Sequence, residues 1–157
     1  MDEKILKKIN VAYTELLTHT YKGNAASALA DFCDLLKTDS DKMSIQLFAD
    51  SIKKYKDTLP DTGKLKIAER ISGRNGDMTT GITFLALSKG DRKTAETLNK
   101  YALEMTASAL AENPSHKERC DNIVALCNEF SSKEKQLIRM KQAGDIMAAF
   151  DEIRGKK

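Results

Sequence analysis

From Arg92 onward, Ala95, Leu98, Ala102, Met105 and Ala109 recur at three- and four-residue spacing, which places them on one stripe of a helix about five turns long. Both ends are punctuated. Asp91 stands where an N-cap belongs, and Asn113 precedes Pro114, whose ring pushes the residue before it out of helical geometry. Upstream, Asp77 is placed to cap a helix carrying Ile82, Leu85 and Ala86 on one face, and Gly90 offers the left-handed position that closes it. Residues 79–113 therefore read as an antiparallel helical hairpin hinged at residues 88–91. Ala95 and Ala102, being small, mark its expected seam of close approach, and Ser108 falls off the stripe.

The same periodicity extends to both ends of the chain. Residues 2–21 put Ile5, Leu6, Ile9, Ala12, Tyr13, Leu16 and Leu17 on one face. Gly23 and Asn24 then read as a stop and a cap before a second face of Ala25, Ala28, Leu29, Phe32, Cys33, Leu35 and Leu36. Ile45, Phe48, Ala49, Ile52 and Tyr55 follow on a third helix that ends before Leu59 and Pro60. Residues 64–71 make a short fourth, closed by Gly73. Beyond Pro114, Ser115 with Glu118 predicts a capping box ahead of Cys120, Ile123, Val124, Cys127 and Phe130, and Ser131 with Glu134 repeats the pattern. The last helix carries Leu137, Ile138, Ala143, Ile146, Met147, Phe150 and Ile153, weakened near Gly144. The Asn75–Gly76 pair could turn a β-hairpin, but neither flank alternates apolar and polar residues. The expected fold is all-α: a compact multi-helix domain of antiparallel helical hairpins, with about seven or eight helices. One domain over residues 1–157 is expected, and the loop at 73–76 is where a subdivision would fall.

Residues 90–105, GDRKTAETLNKYALEM, resemble the second half of a tetratricopeptide motif. Gly90 and Asp91 stand at its hinge, Ala95 and Ala102 lie seven apart, and Leu103, Glu104 and Met105 follow. Carried backward, the register puts Ile82 at the motif's leucine position. Thr79, Thr83, Ala86, Asn99 and Ala107 stand where that motif has tryptophan, glycine, tyrosine, phenylalanine and proline. The resemblance implies a helix–turn–helix unit and assigns no functional residue.

A chain of 157 residues, 41% hydrophobic and 31% charged, is long enough to bury a core without disulfides or metal. No run of eighteen apolar residues occurs and the first ten residues hold no long apolar stretch, so the expectation is a cytoplasmic protein without membrane contact. Three cysteines, Cys33, Cys120 and Cys127, fit a reducing compartment better than a disulfide framework.

The net charge of +3 is unevenly spread. Residues 53–74 hold Lys53, Lys54, Lys56, Lys64, Lys66, Arg70 and Arg74 against Asp57, Asp61 and Glu69, a footprint that could receive a polyanion. Residues 133–157 add seven basic residues against four acidic. A solvated helical face accounts for the same residues, and Tyr55 alone is too little aromatic surface for a single-strand binder.

Motifs for chemistry are few. His116 and Cys120 lie one turn apart, a spacing that can activate a thiol, but Cys120 opens an apolar stripe and packing explains it better. Asp39 and Asp41 begin like a calcium loop until Met43 and Ser44 occupy the positions of a ligand and the glycine. The segment SGRNGD lacks the strand, the spacing and the Lys-Ser/Thr pair of a phosphate loop. No catalytic, cofactor-binding or metal-ligating residue is expected. The expected function is that of a non-enzymatic protein-binding helical module, an adaptor, inhibitor or complex subunit acting through a groove or face between helices. The alternative is a nucleic-acid-associated protein using the basic segment 53–74, and the third reading an enzyme whose site is assembled from distant residues.

Overall fold

The computed structural model describes residues 2–19, 25–73 and 81–153, with 145–153 as backbone only. Eight α-helices occur among these residues and no strand: α1 (Glu3–Thr18), α2 (Ala25–Thr38), α3 (Lys42–Tyr55), α4 (Asp61–Ser72), α5 (Ile82–Ser88), α6 (Arg92–Glu112), α7 (Lys117–Cys127) and α8 (Phe130–Ile153). The expected roles of Gly23, Asn24, Asp77, Thr79 and the 74–76 loop fall outside the described residues, as do the side chains of Ile146, Met147, Phe150 and Ile153.

Local chemistry sets most helix ends. The carboxylates of Asp2, Asp41 and Asp91 accept the backbone N–H groups of Lys4, Ser44 and Thr94 at 2.8, 2.8 and 3.1 Å, each satisfying a donor the helix cannot. Gly73 and Gly90 adopt left-handed geometry at φ 93° and 80°, closing α4 and α5 where a side chain would be strained. The two capping boxes do not form. Asn113 takes the first, accepting from the backbone and hydroxyl of Ser115 above a single 3-10 turn at Pro114–His116, while Glu118 is exposed. Proline cannot donate, so the asparagine amide oxygen is left to meet the N–H of Ser115. At the second, α8 already begins at Phe130, which puts Ser131 and Glu134 inside the helix.

The core is organised around α4, which packs most extensively on α6 and also touches α2, α5 and α7. Leu65, Ile67, Ala68 and Ile71 are all fully buried, so this helix has no apolar stripe in the usual sense; most of its faces are covered. α1 rests on α2 and α3, α3 on α6, and α8 on α5. These contacts cross the 73–76 segment, and buried residues on both sides of it belong to one cluster. At its centre the rings of Phe32 and Phe48 meet edge to face with centroids 5.4 Å apart.

Two expectations shift. The stripe Ala95, Leu98, Ala102, Met105 and Ala109 is buried as read, but α5 has only seven residues, about 10 Å of helix, while Ala102 lies about 15 Å along α6. Ala95 lies within the length that α5 can flank, and Ala102 lies beyond it, on the part of α6 left to α4. On α1, Ile9 and Leu16 are buried and Ile5, Ala12 and Tyr13 partly so, whereas Leu6 and Leu17 face outward. With α2 and α3 as its main neighbours among the described helices, α1 buries a narrower arc than its apolar residues occupy.

Candidate functional site

The seven basic residues of the 53–74 segment do not converge. Lys54, near the end of α3, turns to α1 and donates to the carbonyls of Leu16, Leu17 and His19 at 2.7, 2.7 and 3.3 Å. Beside it the Tyr55 hydroxyl lies 2.6 Å from the carbonyl oxygens of both Leu16 and His19 and shares its one proton between them, so α3 caps the C-terminal carbonyls of α1 from outside. Lys56 turns instead to α6, where Glu104 at 2.7 Å raises its pKa and the ring of Tyr101 lies 5.6 Å away. Lys64 is only 3% exposed; its amine donates to Ser108 Oγ at 2.9 Å and Glu112 Oε1 at 2.7 Å. Lys53 is exposed, Lys66 and Arg70 are half-buried, and Arg74 lies outside the described residues. Three of the seven charges are thus spent on helix-to-helix contacts in two directions, which no spacing argument along one strand of sequence could reveal.

The capping pair gives a direct test. Tyr55→Phe removes one buried hydroxyl donor and leaves the Leu16 and His19 carbonyls to Lys54 among the described side chains, and is expected to cost about 0.5 to 1.5 kcal/mol, read as a lower midpoint in a denaturant titration. An unchanged midpoint would mean that water replaces the hydroxyl without loss.

Residues with potential chemistry are similarly occupied. His116 Nε2 lies 3.0 Å from Asp61 Oδ2, and this contact holds the Asp61 carboxyl below its ordinary value. Cys120 points elsewhere, its thiol directed at the carbonyl of Thr106 at 3.7 Å, so the pair one turn apart in sequence makes no thiol–imidazole contact in space. Burial pushes the Cys33 thiol up to about 12 and Cys127 to about 11, which keeps both as neutral thiols near neutral pH. Asp91 is held low despite its burial, because Thr94 donates to it within the α6 cap and Gln46 donates to it across the α3–α6 contact. No group of three His, Cys, Asp or Glu side chains among the described residues is placed to hold a metal ion.

What remains is a surface. Six large apolar side chains are exposed among the described residues, and three of them, Leu6 (37%), Val11 (51%) and Leu17 (45%), belong to α1. Leu6 and Val11 flank a shallow groove of about 460 Å³ that runs along the helix over Glu3, Lys7, Asn10 and Thr14. Sequence reasoning placed Leu6 and Leu17 in the core and passed over Val11; the position of Val11, off the main stripe of an otherwise amphipathic helix, was the available signal. No helix of the described residues is long and apolar enough to cross a membrane.

No protein-family model matches the chain, no curated protein matches it, and no solved structure matches it. The likeness of residues 90–105 to a tetratricopeptide half-motif therefore rests on one unequal hairpin of seven and twenty-one residues, whereas such repeats need stacked neighbours to bury their faces.

Proposed function

We propose that the protein is a non-enzymatic binding module that engages a protein partner through the outer face of α1. The observation that supports this reading is that Leu6 and Val11 line one groove on the outer face of α1, with Leu17 exposed further along the same helix. Isolated exposed leucines are ordinary, but apolar groups lining one groove with charged residues between them suit an amphipathic helix or an extended segment. The alternative, a phosphate-binding role for residues 53–74, is weakened by the internal contacts of Lys54, Lys56 and Lys64, which leave Lys53, Lys66 and Arg70 as the described charges not turned to another helix.

The test compares the parent with a Leu6→Glu, Val11→Lys double variant in affinity capture from the native host, after nuclease treatment. A protein set retained by the parent and lost by the variant, with melting unchanged, is the expected result. Capture that disappears with nuclease, or with added salt at a slope of about 0.9 per phosphate contact, would transfer the function to the basic segment.

A further inference from the structure

We infer that α8 is a releasable arm whose docking is governed by the protonation of Lys133. The Lys133 side chain is completely buried, yet among the described residues its amine reaches one acceptor, the carbonyl of Ser72 at the end of α4, at 3.4 Å. The other inward-turned amines of this protein are better met: Lys54 by three carbonyls, Lys64 by a carboxylate and a hydroxyl. Around Lys133 the described residues offer no such compensation. From α7 it faces Cys127, whose thiol burial keeps neutral, and from the α7–α8 turn it faces Glu129, which is exposed. α5, the helix on which α8 rests, contributes no ionisable side chain. The last turns of α4 bring Glu69, already held by Arg119 at 2.5 and 2.9 Å, and Arg70, and α6 brings Arg92, paired with Glu134 of α8. A charged amine sealed in such surroundings opposes the contact that seals it.

The remaining hold on α8 is short. Arg92 grips Glu134 at 2.7 and 3.1 Å and lies over the Phe130 ring at 5.4 Å, but this guanidinium is 60% exposed and such pairs contribute little in water. Leu137 is partly buried, and every residue from Ile138 to Gly144 is exposed, so among the described side chains docking rests on the first two turns. Asn128 and Glu129 form the turn about which the arm moves. Burial lowers the amine's pKa from its ordinary 10.5 in the docked form. The released form therefore binds the proton more readily: raising the pH from the docked value towards 10.5 strengthens docking, and below that window the opposition is complete and constant. Release carries Lys133 into water and uncovers Cys127.

The experiment measures, residue by residue, how fast a small alkylating reagent labels the cysteines of the full chain, normalised to a free thiol at each pH. Cys120, buried against the carbonyl of Thr106, reports global opening. In the parent, Cys127 is expected to react faster than Cys120, and its normalised rate to fall as the pH rises towards 10.5. Lys133→Met should slow Cys127 at neutral pH severalfold and flatten the profile. Equal rates at Cys127 and Cys120 in the parent, a flat parent profile, or faster labelling in Lys133→Met would each overturn the inference. Should Lys133→Met fail to fold, the parent's profile against Cys120 still decides.

Discussion

Gly81→Ala is expected to destabilise the fold by about 3 kcal/mol or more, because the added methyl has nowhere to go. A Cβ on Gly81 would stand 2.6 Å from the carbonyl oxygen of Ile71 and 2.7 Å from Ser72 C and Gly73 N. These are backbone atoms at the end of the central helix, so no side chain can rotate away. Either α5 shifts off α4 or the left-handed close of α4 at Gly73 is lost. Gly144→Ala is the control: no atom lies within 4 Å of its Cβ position, and in the exposed middle of α8 the change should stabilise by about 0.5 to 1 kcal/mol. Chemical denaturation of both variants checks the pair, and equal midpoints would show that α4 and α5 are not packed backbone to backbone.

The second large effect is expected at the aromatic centre. Phe32 and Phe48 come from α2 and α3, both fully buried, and either change to alanine should cost about 3 to 5 kcal/mol through lost burial and the cavity left behind. Their edge-to-face contact adds coupling, so the double variant should lose less than the sum of the singles by about 0.5 to 1.5 kcal/mol. A single transition in each variant is expected, since α2 and α3 belong to the same buried cluster as α4 to α7. Additive losses would separate the rings, and two transitions would divide the chain.

Which parts of this were readable beforehand follows from the range of the forces involved. Asp91, Gly73 and Gly90 act on the turn they occupy, so their chemistry is written in adjacent residues and the three helix ends they set came out as expected, unlike the two capping boxes. The α6 stripe was equally legible, because a helix covered on one side advertises it by period. α4 and α5 were harder to read. Lys64 and Thr83 are buried on helices enclosed from several directions, and periodicity carries no information where almost every face is inside. Ser108, read as lying off the stripe, is the acceptor of Lys64 across forty-four residues, so a leucine there would strip a buried amine of a partner. The basic segment failed as a single footprint for the same reason: Lys54, Lys56 and Lys64 are directed by helices distant in sequence. Gly81 gave no signal at all, since what makes it indispensable is the backbone of residues 71–73.

The most direct measurement of the proposed binding face is photocrosslinking from one position at a time in the native host. A photoreactive residue at Val11, on the α1 groove, is compared with the same residue at Lys53, on the accessible remainder of the basic segment, and at the exposed Glu118. A protein-binding α1 predicts a discrete protein adduct from position 11 that is absent from positions 53 and 118 and survives nuclease. Adducts to nucleic acid from position 53, with none from position 11, would contradict it.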